Sequence, residues 1–215
     1  MAPNMNTDSV FDVFQPGLLR GAERLPYAPS KRYFYVEHPT EGWRVYLRAA
    51  CFIHELYKPF VTSRFLVVKR TGGEETKASW EPPKGQMEGK DARDPKKSVL
   101  QLLKENIRRE VEEEAKITNV RELTHTTLIL QSTEPDFPPN TYFQYHIFTG
   151  YAHPVQIETA FREFEWIKEH RAEFMRFRAD KREKDAIDWY NPATRKMMGR
   201  WSPTLVKMYL EFFKA

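Results

Sequence analysis

Residues Arg109-Glu110-Val111-Glu112-Glu113-Glu114-Ala115-Lys116-Ile117 place four carboxylates within five positions. On a helix turning 100° per residue, Glu113 and Glu114 lie about 60° and 40° either side of Glu110, and Glu112 points away. Three carboxylates therefore share one arc, and that arc overlaps an apolar seam formed by Val99, Leu103, Ile107, Val111 and Ala115. Like charges at i, i+3 and i+4 cost an isolated helix ~0.2–0.5 kcal/mol per pair. Beside a buried face the repulsion grows unless a cation answers it. A hard divalent ion with oxygen ligands resolves the conflict, and Mg²⁺ is the usual choice where phosphates complete its shell. A solvated acidic face paired with lysines fits the same periodicity.

The chain upstream bears on that choice. Trp80-Glu81-Pro82-Pro83-Lys84-Gly85 is a loop stiffened by two prolines before a glycine, and Gly89 follows before the helix. A flexible turn feeding a helix with clustered carboxylates can present backbone groups to a metal ion and to phosphate.

Together these residues resemble the Nudix hydrolase box, G-x5-E-x7-R-E-U-x-E-E-x-G-U, where U is aliphatic. Arg109, Glu110, Val111, Glu113, Glu114 and Ile117 match its second half. The W-E-P-P-K-G stretch resembles the corresponding loop of diadenosine tetraphosphate hydrolases, and P-K-G occurs also in decapping and diphosphoinositol relatives. The layout is similar over residues 44–167 and 202–213, and the motifs are specific over 80–117. The chain departs from the pattern in three places. Asp91 stands where the family has Glu, with Glu88 a rival for bonding Arg109. Residues 92–108 are seventeen where the family has seven, and Lys116 stands at the last glycine.

The resemblance implies a Nudix-type α/β/α sandwich with a mixed sheet, and Mg²⁺- or Mn²⁺-dependent cleavage of a phosphoanhydride in a nucleoside diphosphate derivative. A dinucleoside polyphosphate or a capped RNA 5′ end leads, with diphosphoinositol polyphosphates as the alternative. It assigns Glu113 and Glu114 as metal ligands, Glu110 as a ligand or water-orienting group, and the Lys84 carbonyl as a further ligand. Arg109 would hold the loop by a charge-assisted pair. A further carboxylate from far along the chain would be Glu158 or Glu163. Lys84, Gly85 and Arg93 would meet substrate. A Nudix-fold module that binds RNA or an assembly without hydrolysis is the alternative of another class, motivated by Asp91, the ten extra residues and Lys116.

The elements that must carry these groups can be read in outline. Strands are expected at 32–36, 48–56, 64–69, 126–130 and 142–149, with a short one at Phe164–Ile167 closing a sheet. Asp94 and Pro95 would start the long helix. The ten extra residues either extend it or form a basic flap with Arg93, Lys96 and Lys97. Residues 1–30, with Pro3, Pro16, Pro26 and Pro29, read as an N-terminal arm to a domain spanning 31–215. From Lys168 to Arg200 ten basic residues stand against six acidic, interleaved with Phe174, Phe177, Trp189 and Tyr190. That reads as a basic helical insertion in which Arg176 and Arg178 could contact RNA or polyphosphate, or as an amphipathic surface helix. Pro203 starts a last helix through Phe213. Alternating elements of this kind indicate a mixed α/β domain.

Composition bounds the rest. In 215 residues with 14% aromatics an ordered core is expected, and a net charge of +4 permits an anionic partner without demanding one. No stretch approaches the ~20 apolar residues of a membrane span. The opening MAPNMNTDSVFDVF carries Asp8 and Asp12 and no apolar h-region, so no secretory leader is expected. The single cysteine, Cys51, excludes an internal disulfide and suits the cytoplasm or another reducing compartment; mid-strand, it reads as core. Six histidines lack HxxxH or HExxH spacing. Tyr33, Phe34, Tyr35, Tyr142, Phe143 and Tyr145 could stack a base or pack the sheet.

Overall fold

A computed structural model describes residues 10–74, 77–90 and 92–214. Among the described residues nine strands and four α-helices follow one another in mixed α/β order. The larger sheet has six strands: β1 (Leu19–Leu25), β2 (Ala28–Glu37), β3 (Arg44–Glu55), β8 (Thr141–Ala152) and β7 (Arg121–Ser132) run side by side in that order, and β6 (Lys84–Gln86) pairs with β3. The smaller sheet has β4 (Leu66–Arg70) between β5 (Trp80–Glu81) and β9 (Lys184–Trp189). The helices are α1 (Val99–Ala115), α2 (Pro154–Glu169), the short α3 (Arg171–Phe174) and α4 (Ser202–Phe212). None of the described helices is long and apolar enough to cross a membrane.

The chain divides into two units. The first takes the chain up to Ala49, then Gly85–Asn106 and Ile129–His146. In it β1 and β2 form an antiparallel hairpin that turns at Pro26 and Tyr27. The N-terminal arm expected over 1–30 is therefore, in its second half, sheet. Leu25, Tyr33, Tyr46 and Phe143 form its buried cluster. Of the aromatic residues weighed as a base-stacking platform, Tyr33 and Phe143 belong to this cluster and Tyr35 packs against it, Phe34 and Tyr145 are buried, and Tyr142 is half-buried; the Arg48 guanidinium lies 4.4 Å from the Phe143 ring centre.

The second unit comprises Ala50–Lys84, Ile107–Leu128 and Ile147–Ala215. Phe52 stacks on Tyr209 with ring centres 3.8 Å apart, and Phe65 stacks on Tyr190. Cys51 is wholly buried, which pushes its thiol pKa up, as a core residue requires.

The apolar seam of α1 is buried along its whole length, Val99 to Ala115. Its start lies four residues beyond the expected Asp94, because Ser98 and Gln101 cap it reciprocally. The Ser98 hydroxyl accepts from the Gln101 N–H at 3.2 Å and the Gln101 side-chain Oε1 from the Ser98 N–H at 2.7 Å. Residues 92–98 are turns and bends rather than helix, and Asp94 serves there by accepting the Lys96 N–H.

Two further expectations are corrected. Phe164–Ile167 is no strand but the last turns of α2, whose buried face is Ile157, Ala160, Phe164 and Ile167. That spacing is helical, and a four-residue apolar run cannot declare its period alone. His153 caps α2 by accepting the Val155 N–H, with Pro154 at the first turn. The basic segment 168–200 is only briefly helical, in α3 and a 3₁₀ turn at Ala179–Lys181, before it becomes β9.

Candidate functional site

The α1 carboxylates occupy the predicted arc but meet different environments. Glu112 is exposed, Glu110 and Glu113 are half-buried, and Glu114 is buried. Arg109 reaches forward along the helix to Glu110 and Glu113: its Nη2 stands 2.8 Å from Glu110 Oε1 and its Nη1 3.1 Å from Glu113 Oε2. Lys116 follows the helix with φ +60°, the left-handed conformation that favours glycine, the residue standing at this place in the resembled motif. Its ammonium returns to cap the Glu113 carbonyl at 2.8 Å.

The stretch expected as a loop over 80–85 is strand at both ends, and Lys84, the first residue of β6, reaches Glu114 through its backbone. Its N–H donates to Glu114 Oε2 at 2.9 Å, so the start of β6 is fastened to the last carboxylate of the motif. The neighbouring backbone is fixed as well, since the Pro83 carbonyl accepts the Cys51 N–H at 2.9 Å. The Lys84 side chain goes elsewhere, its ammonium 2.8 Å from Glu81 Oε2.

Sequence reasoning missed two members of this cluster. Lys184 of β9 extends its ammonium to Glu114 Oε1 at 2.8 Å and pairs also with Glu81 Oε1. All three side chains are only 6% exposed, so the pairing is an interior one. Burial alone would raise the Glu81 carboxyl, but the Lys84 and Lys184 ammoniums overcome it and hold the group at about 2. Glu114 goes the other way: burial, with Glu81 close by, pushes its pKa up against the pull of Lys184. Burial would lower the Lys184 pKa, yet the two carboxylates raise it, so it is a fixed cation. The sequence signal for Glu81 was its place one residue before Pro82-Pro83. Lys184 gave none apart from the strand pattern around Ile187.

Asp185, next to Lys184, is served by separate partners. Its Oδ2 accepts from the Gly72 N–H at 3.0 Å and from Arg171 Nη1 at 2.8 Å, and Lys69 lies 3.5 Å from Oδ1.

A cleft of about 380 Å³ opens beside the helix end, lined by Arg109, Glu113, Lys116, Thr118, Glu163 and Lys181, with Glu112 at its edge. Of the two distal carboxylates weighed from sequence, Glu163 lies in this cleft. Glu158 lies in a separate cleft with Arg64 and Trp189, and pairs with Arg162 at 3.5 Å. Of the basic segment Lys181 lines the cleft, and Arg176 and Arg178 are exposed in the turn after α3. Arg93 is exposed in the turns before α1, where Lys97 pairs with Glu105 at 2.7 Å. Glu88 pairs with Lys31 and Lys90. Asp91 lies outside the described residues.

Among the described residues no three acidic, histidine or cysteine side chains converge as a ready-made metal site. The donor chemistry nevertheless fits a hard divalent ion. Glu110 and Glu113 offer carboxylate oxygens on one helix face, and the adjoining Glu81–Glu114 pair already holds a cationic centre between them.

No family model and no curated protein matches the chain. Among solved structures it is similar to a NUDIX hydrolase from Nitrosomonas europaea, with 17% identity and TM-score 0.41 over 79% of this chain and 88% of that one. A mutT/nudix family protein from Listeria innocua shows 16% identity and TM-score 0.39, covering 79% and 92%. An Ap4A hydrolase from C. elegans shows 17% and 0.39, covering 79% and 98%. These likenesses are too slight to assign this chain an activity or a substrate.

Proposed function

We propose that the chain is a Nudix-type pyrophosphohydrolase that cleaves a phosphoanhydride bond in a nucleoside diphosphate derivative. The observation that carries the reading is the bond from the Lys84 N–H, at the start of β6, to Glu114, which ties the Pro82-Pro83-Lys84 stretch to the R-E-V-E-E-E helix. Glu110 and Glu113 would hold Mg²⁺ or Mn²⁺, which when bound neutralises phosphate charge and activates water. Arg109 spans both carboxylates and keeps their side chains on one face. Lys116 and Lys181 bring cations into the same cleft, where they can meet phosphate oxygens beyond the scissile bond. Burial lowers the Lys116 pKa, opposed chiefly by Glu163, so its proton is held less tightly than an exposed lysine's.

A capped RNA is the substrate that would use Arg176 and Arg178, and a dinucleoside polyphosphate would need only the cleft. The test is a turnover screen with and without Mg²⁺ or Mn²⁺ over diadenosine tetraphosphate, capped RNA and a diphosphoinositol polyphosphate, with products identified. Metal-dependent release of a mononucleotide or cap product is expected, and it is lost in Glu113→Gln. No turnover of any of the three would refute the reading. It would favour instead the module that binds without hydrolysis, the reading that Lys184 on Glu114 supports.

A further inference from the structure

We propose that Lys184 is a built-in counter-cation that withholds Glu114 from metal, so that Glu114 anchors the loop and a divalent ion is left to Glu110 and Glu113. Both oxygens of Glu114 are already engaged, Oε1 by the Lys184 ammonium at 2.8 Å and Oε2 by the Lys84 N–H at 2.9 Å. Glu81 is engaged likewise, by Lys184 and by the Lys84 ammonium. Two ammoniums and two carboxylates close the charge count of the cluster at zero. A divalent ion on Glu114 would put two further positive charges at contact distance from Lys184, in an interior where water screens little. The ion and the lysine therefore exclude each other there. Glu110 and Glu113 pair instead with Arg109, both are half-buried, and Glu113 lines the cleft at the helix end. The lysine enters from β9, which is held in the smaller sheet by β4, so its position is set by strand pairing.

The proposal rests on the hydrolase reading only in naming Glu110 and Glu113 as the ligands that remain. It is tested by calorimetric titration of the full chain with Mn²⁺. Glu114→Gln is expected to keep wild-type Mn²⁺ affinity within about twofold, and Lys184→Met to gain about tenfold or an additional site. A loss of about tenfold in Glu114→Gln would overturn the proposal, because Glu114 would then be a ligand despite Lys184. A folded Lys184→Met with unchanged affinity and stoichiometry would overturn it too. Where Lys184→Met does not fold, Lys184→Met/Glu81→Gln leaves Glu114 and Lys84 as a balanced pair and is titrated in its place. Failure of the hydrolase reading is a different result: no turnover, with these titrations unaffected. Loss of Mn²⁺ binding in Glu114→Gln alongside metal-dependent turnover would remove the lysine's role and leave the hydrolase standing.

Discussion

Removing Glu114's charge tests the interior cluster by its energetics. In Glu114→Gln the amide oxygen can still accept the Lys84 N–H, but Lys184 keeps only Glu81, and Glu81 must then answer two ammoniums. Breaking one partner of a buried ion pair costs about 3–5 kcal/mol, and the retained hydrogen bond puts this case near the lower end, about 3 kcal/mol. For a chain of this size that lowers Tm by roughly 6–12 °C. Lys184→Met strands Glu114 beside Glu81 with one lysine between two carboxylates, and its cost lies near the upper end of the range. The double variant Lys184→Met/Glu114→Gln removes one charge of each sign and leaves Glu81 with Lys84. Its loss should fall short of the sum of the single losses by about 2 kcal/mol or more, the coupling energy of contacting charges. Urea and thermal melts of the four proteins at neutral pH measure it. Single losses that add to within about 0.5 kcal/mol would mean that the two groups do not sense each other, and the charge-balance argument would fail.

Two other perturbations have signs that can be worked out. Burial holds the His54 imidazole at about 4, against an opposing bond to the Arg64 backbone, from a usual 6.5; its Nε2 lies 2.6 Å from the Tyr209 hydroxyl. The depressed value means that neutral His54 stabilises the fold above pH 6.5 and that this stability is lost as pH falls toward 4, by about 1.4 kcal/mol at pH 5.5. His54→Gln should flatten that part of the stability–pH curve, and an unchanged slope would refute the assignment. At Lys116, φ +60° penalises any side chain with a Cβ, so Lys116→Gly should be more stable than Lys116→Ala by about 1 kcal/mol in urea melts. Equal stabilities would mean that the backbone relaxes there.

The long helix and its carboxylates were legible because Val99, Leu103, Ile107, Val111 and Ala115 keep one face apolar for four turns, which only a helix explains. Its start was misplaced because Asp94-Pro95 carries stronger capping chemistry than Ser98 until Gln101 is read as the reciprocal partner. The glycine position of the motif was legible as a departure, but its meaning needed the backbone: Lys116 adopts the conformation anyway. The 164–167 turn of α2 was read as strand because its helical partners, Ile157 and Ala160, were not counted with it. β9 was hidden by its own charges, since lysine and aspartate usually mark solvent, and here both are buried among opposite charges. Pairing across more than a hundred residues, Lys184 with Glu81, leaves no trace in local spacing.

Lys184 stands between two acids, Glu183 and Asp185. Slide β9 along β4 by one residue in either direction, and the lysine leaves the socket formed by Glu81 and Glu114. One slip delivers Asp185 there; the other delivers Glu183 and thrusts Lys184 at Lys69 and Arg171, the cations that hold Asp185. Each error seats a third carboxylate among two, away from water. Three of the six residues of this strand are charged, so charge weighs heavily in choosing its alignment. The acid–lysine–acid triplet makes the choice by rejection, acting as a key whose teeth fit at a single setting.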